Sequence, residues 1–349
     1  MELSKIPHFT STRTTHIPLN WKHKHIISAW SWSTVLSYNA GVKKFLNFIT
    51  QTSGYFSLPA TTKQLFKFCL WAGRTDTAPS TGPITSKTLT KYLFAIQAWH
   101  LFHGFTYLME SKAQINLVLK ACAKKDTEFN LKKEKTAIHI PQLKVLVELL
   151  SKGDKAEKAI ANLMLVTFWG MCRMKEVTYS KRQGKLCRTD SIMTSDVSFR
   201  RSKTNTIATI SLRGAKTAKP GEVQIIKLSS KPNKLCPVAA ILRRLEEAGN
   251  SDTSLFGFFE EGIRNHITRE IAMLKISQIT ISRAFPGITG HSFRVGGASL
   301  RHTLGIPVRH ICNLGRWKSD SYKLYIKPYE QEDIDNALIL LANNSETLV

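Results

Sequence analysis

Several absences narrow the class of protein that this 349-residue sequence encodes. No two cysteines have the CxxC spacing, and the six cysteines lie far apart, which argues against a zinc ribbon or a disulfide scaffold. Reduced thiols in an intracellular protein are the favoured interpretation. The longest apolar run, residues 159–172, contains polar residues and is too short to span a bilayer. The N-terminal residues lack the apolar stretch of a secretory signal, so we expect neither a secreted nor a membrane protein.

Negative charge is also scarce. The chain has 25 acidic residues against 50 lysines and arginines, a formal net charge of +25. Residues 1–125 hold 15 of the basic residues and 3 of the acidic ones, so the excess is not confined to one tail. A chain-wide basic excess favours a polyanionic partner, most often nucleic acid, over a charge that only keeps the protein soluble. The 42% of apolar residues indicates a globular protein, and the length predicts two domains.

Apolar periodicity divides the chain into a helical N-terminal part and a mixed C-terminal part. Four stretches with three- and four-residue apolar spacing, without a strand pattern, predict a small basic domain of four helices, the last ending at about Ala123. Lysine-rich residues without periodicity follow, and Pro141 suits the first turn of a new helix. The predicted segments are an arm over 1–27, a helical domain over 28–125, a basic linker over 126–140 and a second domain over 141–349.

The second domain contains the strand signals of the sequence. Thr206–Leu212 and Glu222–Leu228 alternate between apolar and polar residues, and the glycines and proline between them predict a β-hairpin. Ser195–Arg200 is a candidate third strand. Helices are predicted over 142–151, over 155–169 and from about 237 to the end. The sequence therefore predicts a mainly α protein with a small antiparallel β-sheet.

Several spaced residues suggest chemistry, although each is weak evidence alone. Arg173 follows an apolar helix and has Glu176 three residues on, but such pairs are common on helix surfaces. Lys216 lies in the predicted hairpin turn, where a lysine is normally just solvated. His291 and Arg294 have i, i+3 spacing at a predicted helix start after a glycine, where free backbone amides favour a phosphate.

Two further observations qualify these signals. His266 and Arg269 have the same His-x-x-Arg spacing within a predicted amphipathic helix, so this spacing by itself decides nothing. Trp317 begins an aromatic stripe, and such stripes are more often core than catalytic. The stripe continues with tyrosines at positions 322, 325 and 329.

The order of these features resembles the tyrosine recombinase (phage integrase) family. That family has an arginine, a hairpin lysine, a His-x-x-Arg motif, then tryptophan and tyrosine near the C-terminus, and the resemblance covers most of this chain. Gly290–Ala298 and Gly315–Asp320 are most similar to the eukaryotic, transposon-borne Crypton-like and DIRS-like recombinases. Residues 34–48 and 88–104 resemble the family's helical (SAM-like) core-binding domain. The resemblance implies that this domain and a catalytic domain clamp double-stranded DNA.

The resemblance also implies a role for each matching residue. Tyr325 attacks a DNA phosphodiester and forms a 3′-phosphotyrosyl bond, so the reaction needs neither a cofactor nor a metal ion. Arg173 and Arg294 hold the non-bridging oxygens, because guanidinium groups suit that geometry. His291 assists proton transfer at the tyrosine. The implied catalytic set is Arg173, Lys216, His291, Arg294, Trp317 and Tyr325.

The remaining roles follow from the same resemblance. Lys216 protonates the leaving 5′-oxygen as general acid. The indole N–H of Trp317 donates to the phosphate but cannot act as a base. Glu176 orients Arg173 or caps its helix rather than taking part in the chemistry.

Three tyrosines are alternatives for the nucleophile, since their spacing lets all of them share one face. Pro328 ends any helix before Tyr329, which weakens that alternative. The family usually has an apolar aromatic residue at the position of Tyr322. Tyr325, followed by an isoleucine and a basic residue, is the match to the family signature.

The implied function is site-specific DNA recombination or integration by a protein of a mobile element, acting in the nucleus as the eukaryotic branch does. A domesticated, non-catalytic DNA-binding protein is the alternative from another class, and a type IB topoisomerase is an alternative enzyme. Exchange of four strands implies a homo-oligomer on DNA, a tetramer. We expect the apolar segment within 333–349 to dock on a neighbouring protomer; packing against its own domain is the alternative.

Overall fold

In a computed structural model, the chain divides into two compact units, Met1–Lys133 and Glu134–Val349. Within the ranges described, no helix has both the length and the apolar character needed to cross a membrane. The structure describes residues 2–12, 18–52, 56–75, 82–107, 112–129, 136–203, 205–215, 218–285 and 287–342.

The N-terminal unit is a bundle of helices around an aromatic core. Threonine caps begin two of the helices, since the Thr61 and Thr85 hydroxyls accept hydrogen bonds from backbone N–H groups three residues on. The ring of Phe45 meets that of Phe68 edge-on at 5.3 Å, and Trp99 is fully buried beside them. The helices are α1 (Trp21–Ile27), α2 (Trp32–Thr52), α3 (Thr62–Ala72), α4 (Ser86–Phe102) and α5 (Lys112–Phe129).

Two parts of this unit differ from the prediction. The described part of the predicted arm places Ile6, Phe9 and Ile27 in the core, fully buried, although polar residues separate them at irregular intervals. The last turns of α5, beyond the predicted helix end, lack apolar periodicity and depend instead on tertiary contacts of Asp126. That carboxylate lies 3.4 Å from the Arg74 guanidinium and accepts a hydrogen bond from a backbone N–H of α4 at 2.7 Å. Neither feature has a local period that a sequence could display.

The C-terminal unit is arranged around one central helix. The residues from Ala159 to Trp169 are all buried, and four other helices and one short strand pack around this helix. This confirms the two helices predicted after the linker; residues 130–135 of the linker lie outside the described residues. The helices are α6 (Ile140–Ser151), α7 (Lys155–Trp169), α8 (Met174–Val177), α9 (Pro237–Ala248), α10 (Arg269–Ser282), α11 (Ser292–Thr303), α12 (Val308–Gly315) and α13 (Gln331–Ala342).

The predicted hairpin and third strand are confirmed and form one antiparallel sheet, in which the first strand of the hairpin lies between the other two strands. Ile210 pairs with Val197 on one side and with Ile226 on the other. Buried residues alternate with more exposed ones along the hairpin, which places one face of the sheet on the core. The strands are β1 (Val197–Arg201), β2 (Thr206–Leu212) and β3 (Gln224–Ser229).

A second hairpin, β4 (Gly257–Glu260) with β5 (Ile263–His266), lies where only helices were predicted. That prediction was wrong because strands of four residues are too short to display alternation. The turn between them has positive φ at both Glu261 and Gly262, as tight hairpins require. His266 therefore ends a strand and Arg269 begins α10, so this His-x-x-Arg pair does not lie within one helix.

The C-terminal helix α13 packs on α6 of its own chain. Ala337 is buried in this contact, and the Asn233 side-chain amide donates to the Leu341 carbonyl oxygen at 3.3 Å. At the start of α13, Asp333 lies 2.9 Å from the ring of His139, which immediately precedes α6. In this single chain α13 thus packs on its own domain, and docking on a neighbouring protomer stays a prediction. Overall the mainly α architecture with small antiparallel sheets is confirmed.

Candidate active site

The turn from α7 to α8 presents Arg173, the first of the predicted site residues. α7 ends at Trp169, and Met171 has a left-handed backbone conformation (φ 45°) with a fully buried side chain. Arg173 then precedes α8, and its backbone N–H donates to the Glu176 carboxylate at 2.9 Å. A buried anchor before Arg173 and a capped helix after it fix the backbone from which its guanidinium extends.

Three arginines from α11 and from the end of α12 hold this turn. Carbonyl groups at the end of a helix have no partner within the helix, and cations nearby also interact favourably with the helix dipole. The arginines supply both a donor and a charge to three consecutive carbonyl oxygens. The bonds run from Arg301 to Trp169 (2.6 Å), from Arg316 to Gly170 (3.5 Å) and from Arg294 to Met171 (2.6 Å).

Glu176 is a buried carboxylate shared by two of the site's arginines. One oxygen accepts from the Arg173 guanidinium at 2.6 Å, and the other accepts from Arg316 at 2.7 Å. Burial alone would raise the pKa of Glu176, but the two arginines outweigh it and hold this pKa below its ordinary value. Glu176 is therefore ionised at neutral pH, and it both orients Arg173 and caps α8.

Arg294 lies at the centre of the site and is fully buried. Its two terminal nitrogens donate to the carbonyl oxygens of Met171 and Gly315, each at 2.6 Å. The Trp317 ring lies over its guanidinium at 4.2 Å, and the Tyr325 ring lies at 5.4 Å. Burial, and then repulsion by other arginines, lowers its pKa to about 10, which leaves the group charged at neutral pH.

Tyr325 brings the remaining predicted residues to the same place. Its ring lies 5.3 Å from that of Trp317 and 6.2 Å from that of His291, which precedes α11 on the protein surface. The backbone is held as well, because the Ser299 hydroxyl donates to the Tyr325 carbonyl oxygen at 3.2 Å. Tyr325 is half-buried against a small apolar cluster that includes Ile311. Five of the six predicted residues are thus collected from separate segments of the chain.

The other two tyrosines have different surroundings. Tyr329 stacks on His139 at 4.4 Å, and its hydroxyl is buried without a hydrogen-bond partner among the described residues. Burial, with Asp333 nearby, raises the pKa of Tyr329, which makes its phenol a poorer nucleophile. Tyr322 lies in a short 3-10 helix, and among the described ring contacts only Tyr325 meets Trp317.

Lys216, the sixth predicted residue, lies outside the described residues, so its place in the site stays a prediction. The described part of its loop leads towards the site. Glu222 accepts a hydrogen bond from the backbone N–H of Lys219 at 2.8 Å, and its other oxygen lies 3.3 Å from the ammonium of Lys318, the neighbour of Trp317. Such an exposed ion pair adds little stability, but it places Glu222 beside the residue that follows Trp317.

The two residues of the second His-x-x-Arg pair, His266 and Arg269, have different surroundings. Both ring nitrogens of His266 are bonded within the fold, to the Ser254 hydroxyl at 2.8 Å and the Gly184 carbonyl oxygen at 3.0 Å. Arg269, in contrast, is exposed beside Gly290, where a cavity of about 320 Å³ opens next to the loop before α11. Sequence reasoning had set Arg269 aside, and only the approach of α10 to this loop reveals its position.

Sequence reasoning also missed Arg316 and Arg301. The only signal for Arg316 was its place between Gly315 and Trp317, and nothing in the spacing of Arg301 distinguished it from a surface residue. Within the described residues, no group of three or more His, Cys, Asp or Glu side chains is placed to hold a metal ion. What converges here is a set of arginine side chains beside the ring of a tyrosine, residue types suited to a phosphate ester.

Comparison with known proteins identifies the fold. No protein-family model matches the chain, and no curated protein matches it. The XerH site-specific recombinase bound to palindromic difH substrate, a post-cleavage complex, superposes with a TM-score of 0.54 at 12% identity, covering 97% of this chain and 88% of XerH. A pre-cleavage XerH complex with difH gives a TM-score of 0.51 at 14% identity, covering 83% and 76%. The chain has the tyrosine recombinase/integrase fold.

Proposed function

We propose that this protein is a tyrosine recombinase that cuts and rejoins double-stranded DNA through a 3′-phosphotyrosyl intermediate. The observation that carries this proposal is the meeting of Arg173, Arg294, Trp317 and Tyr325 in one site, from three separate segments. The fold supports it, since XerH is a site-specific recombinase bound to its difH substrate before and after cleavage.

The first step is capture of a scissile phosphate by the two arginines. Arg173 offers its guanidinium from the rim of the site, and Arg294 lies beneath the rings of Trp317 and Tyr325. A phosphate reaches Arg294 when one ring slides off its face, so DNA binding opens this part of the site. Charged donors that are already oriented then stabilise the extra charge of the pentacoordinate transition state.

The chemical step is one exchange of bonds at phosphorus. The Tyr325 oxygen forms a bond to phosphorus while the bond from phosphorus to the 5′-oxygen breaks. The tyrosine proton passes towards His291, and Lys216 donates a proton to the departing 5′-oxygen. The phosphotyrosyl ester retains the energy of the broken linkage, so a 5′-hydroxyl can reverse the reaction and rejoin a strand.

The wider assignment belongs to the same proposal. Both units carry an excess of basic residues, which supports binding of double-stranded DNA by both, as a clamp, with an affinity that falls steeply as salt rises. Exchange of four strands requires several protomers, so the active form is a homo-oligomer, a tetramer, on DNA. The motif similarity to Crypton-like and DIRS-like recombinases supports mobile-element origin and action in the nucleus.

The test is formation of a covalent protein–DNA adduct. The protein is incubated with nicked duplexes made from the DNA that flanks its coding sequence, and with a nicked pool of random sequence, then denatured in detergent. We expect an adduct with the unmutated protein and with Tyr322→Phe and Tyr329→Phe. Tyr325→Phe should bind DNA normally and form none, since it lacks only one hydroxyl.

Other outcomes of this test would favour another nucleophile or another function. An adduct formed by Tyr325→Phe would mean that the nucleophile is another residue. Site-specific binding by the unmutated protein without any adduct would favour the domesticated DNA-binding protein. Relaxation of supercoiled plasmid without a specific site would favour the type IB topoisomerase.

A further inference from the structure

Arg316 has a backbone conformation that its residue type does not favour. It ends α12 in the left-handed region (φ 58°), a position where helices usually place glycine because a side chain there is strained. Its side chain is only 7% exposed, and its Nε is buried without a partner among the described residues. The contacts of the Arg316 guanidinium must therefore offset the strain of this backbone conformation.

The guanidinium of Arg316 connects two parts of the candidate active site. It donates to one oxygen of Glu176 at 2.7 Å, and the other oxygen of Glu176 accepts from Arg173 at 2.6 Å. One carboxylate thus holds Arg173 on one side and Arg316 on the other. The direction of the Arg173 guanidinium is therefore set by a carboxylate that Arg316 itself keeps in place.

The neighbours of Arg316 in the chain belong to the other half of the site. Gly315 accepts a hydrogen bond from Arg294 through its carbonyl oxygen at 2.6 Å, and Trp317 lies over Arg294 and against Tyr325. The segment that carries the tryptophan is thereby linked to Arg173 across the site.

We propose that Arg316 is a positioning residue for DNA cleavage, acting through Glu176 to aim the Arg173 guanidinium at the scissile phosphate. The inference rests on the proposed function and names a residue for which the family resemblance implies no role. The competing account is that Arg316 only stabilises the fold through an ion pair, and loss of activity in a variant would fit both accounts. A substrate with an uncharged scissile phosphate distinguishes them, because Arg173 acts on the charge of the phosphate.

The experiment uses two nicked substrates of the same sequence, one with the normal scissile phosphate and one with an uncharged methylphosphonate there. Arg316→Met keeps the length of the side chain and removes its charge. We expect this variant to bind DNA normally and to lose tenfold or more in the single-turnover rate of adduct formation on the normal phosphate. The loss on the methylphosphonate should be much smaller, since that substrate has less charge to stabilise.

Two further variants make the test specific. Arg316→Met combined with Glu176→Gln should be no slower than Glu176→Gln alone, because both changes interrupt one chain of contacts. Arg301→Met is the matched control, since Arg301 also binds the carbonyl end of α7 but does not contact Glu176. Its loss of rate should be equal on the two substrates. Equal losses on the two substrates for Arg316→Met, or no loss at all in a folded variant, would overturn the proposal.

A measurement without DNA separates this inference from the proposed function. In protein labelled with ¹³C at glutamate carboxyls, the titration midpoint of Glu176 should rise in Arg316→Met and stay unchanged in Arg301→Met. If the midpoint rises but the unmutated protein never forms an adduct, the proposed function fails and the positioning role fails with it. If the adduct forms but the midpoint does not rise, the positioning role alone is refuted.

Discussion

Replacing Gly297 by alanine tests how closely α11 must approach α7. A Cβ atom on Gly297 would overlap the carbonyl oxygen of Phe168, which belongs to the backbone of α7 and cannot rotate away. Restoring an ordinary van der Waals separation requires the two helices to part by about 1 Å. Gly297 lies one helical turn after Arg294, so the shift is transmitted directly to the buried guanidinium.

The expected effects are on both stability and rate. Overpacking of this kind costs about 1–3 kcal/mol, which for a unit of this size corresponds to a fall in Tm of roughly 5 °C. Misplacement of a reacting group by about 1 Å lowers a rate on the order of 100-fold. The rate of adduct formation should therefore fall by that factor at a temperature where Gly297→Ala is still fully folded. Circular dichroism supplies the Tm, and single-turnover kinetics with a nicked duplex supply the rate.

His302→Ala is the control, because His302 is exposed on the same helix. It should change neither quantity appreciably. If Gly297→Ala had the Tm and the rate of the unmutated protein, the close approach of α11 to α7 would not exist in solution. If the Tm fell while the rate stayed the same, the helices would part without moving Arg294, and the connection from packing to the site would be refuted.

Three further predictions concern reactivity, the C-terminal helix and acid. Burial raises the pKa of the Cys172 thiol to about 11, whereas Cys187 is exposed, so iodoacetamide at pH 8 should label Cys187 first in the folded protein. Mass spectrometry of the digest checks this, and equal labelling would contradict it. Removing residues 331–349 uncovers the α6 surface that Ala337 buries, so the Tm should fall; an unchanged Tm would mean that α13 does not dock on its own chain in solution. The arginine partners of Glu176 hold its pKa below the ordinary value in the folded state. The ionised carboxylate therefore stabilises the fold above pH about 4.5, and this stabilisation is lost as the pH falls through the lowered pKa. Denaturant titrations should show Glu176→Gln less stable than the unmutated protein at pH 7, and the difference should disappear once the pH is below the lowered pKa of Glu176; a difference that persists in acid would exclude the carboxylate as its cause.

The predictable part of the fold is the part with a local period. Long amphipathic helices such as α2 show three- and four-residue spacing over several turns, and β2 alternates over seven residues. The burial of Ile6 and Phe9 has no such period, because the core around them is assembled from helices far along the chain. β4 and β5 fail for another reason, since four residues give too few repeats for a pattern.

The sequence likewise predicts some residues of the candidate site from their order along the chain, but it does not predict those that depend on three-dimensional contacts. The order of arginine, His-x-x-Arg, tryptophan and tyrosine along the chain predicts Arg294 and Tyr325 as site residues, and the structure brings the two side chains together. This order does not select Arg316, because an arginine beside a tryptophan has no distinctive spacing and its contact with Glu176 joins residues 140 positions apart. Lys216 stays a prediction, as it lies outside the described residues.

The charges of the site explain why its reactivity should depend on DNA. Glu176 pairs with Arg173 and Arg316 but not with Arg294, so the three arginines together carry excess positive charge. The fully buried Arg294 has backbone carbonyl oxygens rather than a carboxylate as its hydrogen-bond partners. Burying a charge without an opposite charge is unfavourable, as the lowered pKa of Arg294 indicates. Under the proposed function, a DNA phosphate would supply the opposite charge at this point. Binding energy from the DNA backbone would then move an aromatic ring off Arg294, and the reactive arrangement of Tyr325 would form only in DNA-bound protein.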